Sequence, residues 1–411
     1  MLVMVNTDAA VILLIFSMLL SPELELAQVP SHAVVLRFDD ILLCVVFLTW
    51  LAKMAMNKQL GLLRNTPLNL PIAVYVIISV ISTAWGIAGG WIVPIKSLFY
   101  LLKYFEYFLL FYMISNIVKS KEQLKAFIFV FLLTAFIICI YAWTQFGTEA
   151  RVSAPFEGAG ESEPNTLSGY LLIVMALCWG LILCLKRFST RLWVFGLFLF
   201  SLLPFFHTLS RGAWIGLPPM AIALTALHKQ KSPILIVILT AVILSLPVVL
   251  PSFVKHRIDE TFIPDSVTKE YEVAGKKMPV SLEGSAMLRL ISWEWIITEE
   301  FPKKPFFGWG VTGVGFIDSN YFLMLGEIGF FGIAVFFWML STIFRQAYWN
   351  FKNINDDFYK GLSLGLLVCL VGLMVQALTA NSFIIVRIME PFWFLTAIVM
   401  VLPRTLSRDY I

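Results

Sequence analysis

Charge is scarce in this sequence, and so are the residues that usually hold metals. Of 411 residues only 14% are Asp, Glu, Lys or Arg, while 59% are hydrophobic. Mean hydropathy is +0.86. Such a composition excludes a soluble cytosolic enzyme. The balance of 30 basic to 26 acidic residues leaves an excess too small and too dispersed for a nucleic-acid binder. Cys44, Cys139, Cys178, Cys184 and Cys369 all fall inside apolar stretches, where they read as small packing residues, so no outer disulfide framework is expected. His32, His207, His228 and His256 are scattered, and no His or Cys pair has metal-ligand spacing. A phosphate loop and a dinucleotide fingerprint are also missing, so no cofactor and no zinc site are expected. Magnesium, which needs few protein ligands, stays open.

What the sequence has is apolar length. A helix needs roughly 20 such residues to cross a bilayer, and about twelve blocks approach that length. They lie near 9–24, 38–56, 70–90, 97–118, 124–146, 166–185, 191–209, 211–227, 233–253, 319–345, 358–380 and 384–403. Buried helices of a large soluble protein would alternate with amphipathic ones, and these mostly do not. The expected fold class is therefore an all-α polytopic membrane protein of about twelve spans. Residues 1–253 carry spans one to nine, 254–318 form one large loop, and 319–411 carry spans ten to twelve with a short tail. The first block has no basic residue ahead of it and is followed by Ser21-Pro22-Glu23, so it reads as a retained span and not a signal peptide.

Orientation follows from where Lys and Arg fall in short loops. With the N-terminus cytoplasmic, the inner joints hold 16 cations: Lys53, Lys58, Arg64, Lys119, Lys121, Lys125, Lys186, Arg187, Arg191, Lys229, Lys231, Arg345, Lys352, Lys360, Arg404 and Arg408. The short outer joints hold only Arg37, Lys96, Arg151, Arg211 and Arg387, and Lys103 lies within the fourth block. Both termini are then cytoplasmic and the large loop is extracytoplasmic. That loop carries eight cations against nine carboxylates up to Glu300, so it is not a basic patch. Ala286 to Glu300 suits an amphipathic helix bearing Leu288, Ile291, Trp295 and Ile296, with Trp293 nearby; it would lie on the membrane surface or on the bundle. Pro302, Pro305, Gly308, Gly310, Gly313 and Gly315 then break regular structure until the tenth span.

Most of the outer short-joint cations are arginines, whose planar fork of donors suits phosphate, whereas lysine is enough to set topology. An arginine near a bilayer centre costs at least about 2.5–3.5 kcal/mol on insertion scales, which makes each one a functional candidate. Arg387 has Glu390 three residues on, and Lys103 has Glu106, so simple pairing stays open for both. Arg37 precedes Asp39 and Asp40, acids that suit a helix start and can hold it. Arg211 sits in Ser210-Arg211-Gly212-Ala213-Trp214-Ile215-Gly216, between two apolar blocks with no room for a loop. It must meet the outer interface or a cavity between helices.

That last string resembles the Ser-Arg-Gly signature of the O-antigen ligase and polymerase superfamily, membrane glycosyltransferases of the C type. Three further stretches are similar to the family's, in its order: Arg151 to Phe156 with Glu163-Pro164-Asn165-Thr166-Leu167-Ser168-Gly169-Tyr170; Arg289, Trp293 and Pro305-Phe306-Phe307-Gly308-Trp309-Gly310; and Asp318-Ser319-Asn320-Tyr321 with Glu327-Ile328-Gly329 and Gly332. Together they cover about residues 150–335. The resemblance implies a polyprenyl-diphosphate-linked oligosaccharide as donor, a bacterial inner-membrane location, an active site facing the periplasm or exterior, and a chain-length regulator as a partner protein. Ligases that transfer glycan to the lipid A core usually carry histidine where this chain has Asp318, so the resemblance favours a polymerase of O-antigen or exopolysaccharide over a ligase.

The donor implied by the resemblance sets the chemistry that the residues have to perform. A sugar leaving C1 of a polyprenyl diphosphate departs as an anion, and fixed cations facing that charge in a poorly solvated site lower the barrier most. Arg211 and Arg289 are the first candidates for that role and Arg151 the third, with Ser210, Asn165 and Tyr321 as further substrate-binding positions. Asp318 is the candidate base or orienting group for the acceptor hydroxyl. Glu327 follows nine residues later, off any shared helical face, so it suits an acceptor-binding or structural role. Trp293, Trp295, Trp309 and Tyr321 can stack on sugars, although interfacial anchoring accounts for most of them. The rival class is a transporter, such as a polysaccharide-lipid flippase; against it, no match appears between residues 1–200 and 201–411. A glycan polymerase of the shape and division group shares the substrate class but not these motifs.

Overall fold

The computed structural model describes residues 7–29, 32–56, 63–147, 151–156, 163–228, 252–260, 269–273, 276–280 and 284–407. Its helices are α1 (Thr7–Leu20), α2 (Phe38–Met56), α3 (Asn69–Ala88), α4 (Pro94–Ile117), α5 (Lys121–Thr144), α6 (Pro164–Cys184), α7 (Phe188–His207), α8 (Arg211–Leu227), α9 (Ser252–Asp259), α10 (Gly284–Trp295), α11 (Asn320–Asn353), α12 (Asp357–Gln376) and α13 (Val386–Ser407). Eight of them, α3 to α7 and α11 to α13, are long and apolar enough to cross a membrane. The protein is thus a helical, multi-pass membrane protein. Eight such helices, not twelve, are found among the described residues. Helix α1 has 14 residues, about 21 Å at the usual rise; α2 carries Asp39, Asp40 and Lys53; α8 has 17 residues with Pro218 and Pro219 inside. The block 233–253 lies almost wholly outside the described residues, as do Lys58, Lys229, Lys231 and Arg408.

Two antiparallel hairpins depart from the all-α expectation. Glu23–Val29 (β1) pairs with His32–Arg37 (β2), and Lys269–Val273 (β3) with Lys276–Val280 (β4). The first follows from Ser21-Pro22, which ends α1 early, and from the β-branched run Val34-Val35. In the large loop, α10 forms across the expected amphipathic stretch and runs on as a π-helical segment, Ile296–Glu300. Met287 and Ile296 are buried, while Leu288 and Trp295 remain exposed.

Local chemistry sets the helix starts. Ser120 caps α5 by accepting from Gln123 N (3.2 Å), and the Gln123 amide returns to Lys119 N (2.7 Å), a variant of the capping box. Asp356 caps α12 by accepting from Phe358 N and Tyr359 N.

The centre of the bundle is α6 lying antiparallel to α12, with small residues letting the backbones approach. A Cβ placed on Gly180 would stand 2.3 Å from Gly361 O and 2.4 Å from Gly365 N. Gly180→Ala is therefore expected to cost about 2 kcal/mol, within the overpacking range, read as a lowered thermal midpoint in detergent. An unchanged midpoint would mean the helices can separate freely.

Helix α11 is broken at Gly329, whose φ of 65° and ψ of −163° are non-helical. A break leaves backbone groups that lipid cannot satisfy, and here the preceding loop supplies partners. Phe330 N donates to Pro305 O (2.8 Å) and Phe331 N to Phe306 O, while Trp309 N donates to Gly326 O (2.9 Å) and Gly310 N to Glu327 O (2.8 Å). The Pro/Gly-rich run expected to be irregular begins with a short helical turn, Phe301–Lys303, and is irregular from Lys304 on, where it is pinned to this kink.

Candidate functional site

The turn between α12 and α13, residues 376–385, gathers the motifs at one end of the bundle. Asn320 N donates to Ala377 O (3.0 Å), Phe383 N donates to Asn320 Oδ1 (3.1 Å), and Asn381 Nδ2 donates to Ile317 O (2.9 Å). On the other side of the same turn, Gln376 Nε2 reaches Asn165 O at 3.5 Å, and a Cβ on Gly212 would meet Thr379 Oγ1. The N-termini of α6, α8 and α11 therefore all converge on it. Ser319, buried, adopts φ 98°, a costly conformation for a residue with a side chain. The lacing on either side holds Ser319 there and sets Asp318 just ahead of α11.

Asp318 meets Arg289 across 29 residues of sequence. Its Oδ2 accepts from Arg289 Nη2 at 2.7 Å and Nε at 3.1 Å, with both side chains partly exposed at 23% and 32%. Trp293, one turn further along α10, donates from Nε1 to Asp318 O (2.8 Å) and stacks on Phe322 with centroids 4.9 Å apart. Helix α10 is thereby docked on the start of α11, and the guanidinium keeps its remaining donors for another anion.

Ser210 is buried and its Oγ bonds Asn165 Oδ1 at 2.7 Å, so these two sequence candidates meet. Arg211 begins α8, where the helix dipole adds to its own positive charge. Arg151 Nε donates to Thr208 O (3.0 Å), and Val152 N to His207 O, which ties the Arg151 segment to the end of α7 just before Ser210. Tyr321 donates from its hydroxyl to Met374 O (2.7 Å), so its polar end is committed to α12. Glu327 is placed elsewhere: it is buried, accepts from Thr312 N (2.6 Å) and from the Tyr104 hydroxyl, and fastens the loop ahead of α11.

Two features lay beyond the sequence reading. Lys304 reaches over the Trp91 ring and stands 4.3 Å from the Trp309 centroid, its Nζ shielded from solvent with no hydrogen-bond acceptor. That burial lowers its pKa from the ordinary lysine value, whereas a hydrogen bond to Glu300 raises that of Lys303. Next to it an apolar groove of about 440 Å³ runs between Ile81, Trp85, Phe306 and Phe307. The second feature is a cluster of buried charges that joins the local pairs read around Arg37, Lys103 and Arg387. Among the described residues, no group of His, Cys, Asp and Glu has a metal-binding arrangement.

No protein-family model matches this chain, and no curated protein matches its sequence.

Proposed function

We propose that the protein is a membrane glycosyltransferase that polymerises polyprenyl-diphosphate-linked glycan units, of the O-antigen or exopolysaccharide kind. The observation that carries this reading is the Arg289–Asp318 pair, set at the end of the bundle where Arg211, Arg151 and the Ser210–Asn165 pair also sit. Several arginines, three helix N-termini and one carboxylate suit a substrate with an anionic leaving group and an acceptor hydroxyl that must lose a proton.

In this reading Arg211 and Arg289 face the diphosphate, with Arg151 beside them. The acceptor oxygen attacks C1 of the donor sugar and the C1–O bond to phosphate breaks. The leaving diphosphate keeps the electron pair, and the hydroxyl proton passes to the Asp318 carboxylate. Diphosphate drawing on the donors of Arg289 loosens its hold on Asp318, so arrival of the donor readies the base. The topology that goes with it has twelve spans, both termini cytoplasmic and the site on the outer face of a bacterial inner membrane. The exposed Leu288 and Trp295 of α10 suit contact with that membrane surface. Asp318 in place of histidine favours polymerase over ligase.

The deciding experiment supplies purified protein in detergent with lipid-linked repeat units and separates the products by size. A ladder of longer glycans is expected. No covalent product in detergent, together with lipid-glycan movement across reconstituted vesicles, would replace this reading with the transporter.

A further inference from the structure

Apart from the Arg289–Asp318 pair, seven charged side chains, one from the end of β2 and six from helices α2, α4 and α13, meet inside the bundle. Arg37 Nη2 lies 3.2 Å from Asp39 Oδ2 and 3.3 Å from Asp40 Oδ1. Lys103 of α4 pairs with Asp40 and stands 3.8 Å from Glu106. Arg387 of α13 donates to Pro155 O (3.0 Å) and Ser21 O (3.1 Å). Glu390, one turn on, faces Asp39, Arg37, Glu106 and Asp40. The Cys44 thiol lies at the edge. Arg37, Asp39, Asp40, Arg387 and Glu390 are all buried, the two least accessible being Asp39 and Glu390 at 0%.

Three cations thus stand against four carboxylates, leaving one negative charge in excess in a place where an uncompensated charge is strongly unfavourable. Two independent details show where the imbalance sits. Neither Glu390 nor Asp39 has a hydrogen-bond donor on its carboxylate oxygens, but Asp39 lies 3.2 Å from Arg37 Nη2 and Glu390 has no cation at that range among the described residues. Asp40 and Glu106 share the single Lys103 ammonium, which pairs with Asp40 and stands 3.8 Å from Glu106, so two carboxylates on that side divide one lysine between them.

We propose that this cluster is a proton-binding site, in which one proton neutralises the excess carboxylate and is shared between the Asp40–Glu106 pair and Glu390. The proton belongs to the cluster as a whole, because the groups interact too strongly to titrate one by one. Arg37 contacts Asp39 and Asp40 directly, and its charge also acts on Glu390. The proposal does not depend on the glycosyl-transfer reading.

Charge counting makes the test sharp. Replacing either Glu106 or Glu390 with glutamine leaves three cations against three carboxylates, so neither variant needs the proton. Infrared spectra of the full chain in lipid nanodiscs, recorded at neutral pH in heavy water, are expected to show a protonated-carboxyl C=O band that alkaline buffer removes. That band loses one carboxyl's worth of intensity in Glu106→Gln and in Glu390→Gln, and keeps it in Glu300→Gln, which alters the exposed pair with Lys303. Absence of the band from the unsubstituted protein overturns the proposal whether or not the variants fold. So does an unchanged band in either cluster variant, or its loss in Glu300→Gln.

Discussion

Arg289→Ala is expected to slow ladder formation by about 10²–10³-fold, the usual loss when one preorganised donor facing a developing anion is removed. Asp318→Ala is expected to be at least as slow, since loss of a positioned base costs about 10²–10⁴-fold. The two residues hold each other at 2.7 Å, so removing either one leaves the other without its partner. The double variant should then be no slower than the slower single, the non-additivity shown by residues that act as a unit. Arg289→Lys separates charge from geometry: lysine keeps the positive charge but cannot present two donors from one plane to Asp318 Oδ2. It should recover only a minor part of the rate. Initial rates with a fixed lipid-linked donor and measured donor affinity provide the check. Normal turnover in Arg289→Ala would remove the arginine from the diphosphate site, and independent, additive losses would mean that the pair does not function as one unit.

The fold was legible where one kind of evidence was enough. Eight apolar blocks of bilayer length became eight helices, because unbroken apolar length with flanking charge leaves lipid-facing backbone few other options. It was less legible where a short local signal overruled hydropathy. Ser21-Pro22 ends α1 after 14 residues and a hairpin follows. Gly329, within a long apolar block, hides a break, since hydropathy does not register φ.

The candidate site was legible in its members but not in its pairings. Ser210 and Asn165 do meet, yet nothing in the 44 residues between them announces it. Arg289 and Asp318 were singled out for separate roles, one for phosphate and one for the proton, and they lie against each other. Local spacing found Arg37 with Asp39 and Asp40, and Lys103 with Glu106, but not the rest of the buried cluster. It pointed Arg387 towards Glu390, but hydrogen bonds of the guanidinium go to the carbonyls of Pro155 and Ser21, and neither Glu390 oxygen has a hydrogen-bond donor. Helical periodicity finds partners three or four residues away; it cannot find those that tertiary packing delivers.

Gly329→Ala is expected to destabilise the protein by about 4 kcal/mol, combining a glycine-only backbone conformation at about 1–3 kcal/mol with a steric clash of similar size. A Cβ there would stand 2.5 Å from Phe306 O and 2.7 Å from Gly308 N, both backbone atoms with nowhere to retreat. Gly308 faces it with φ 67° and packs as tightly on Gly326 O and the Glu327 carbonyl. The two glycines thus form one junction, and separating them would release Phe330 N and Phe331 N from the loop and Trp309 N and Gly310 N from the helix. Glu327, which fastens Thr312 N, would go with them. The same connection leads to Asp318, so the damage should reach the site as well as the stability. Thermal unfolding and limited proteolysis within 301–318 provide the measurements, with Gly196→Ala as the comparison, since a Cβ on Gly196 meets nothing within 4 Å. If Gly329→Ala melts with Gly196→Ala and resists protease equally, the kink is not what holds the loop.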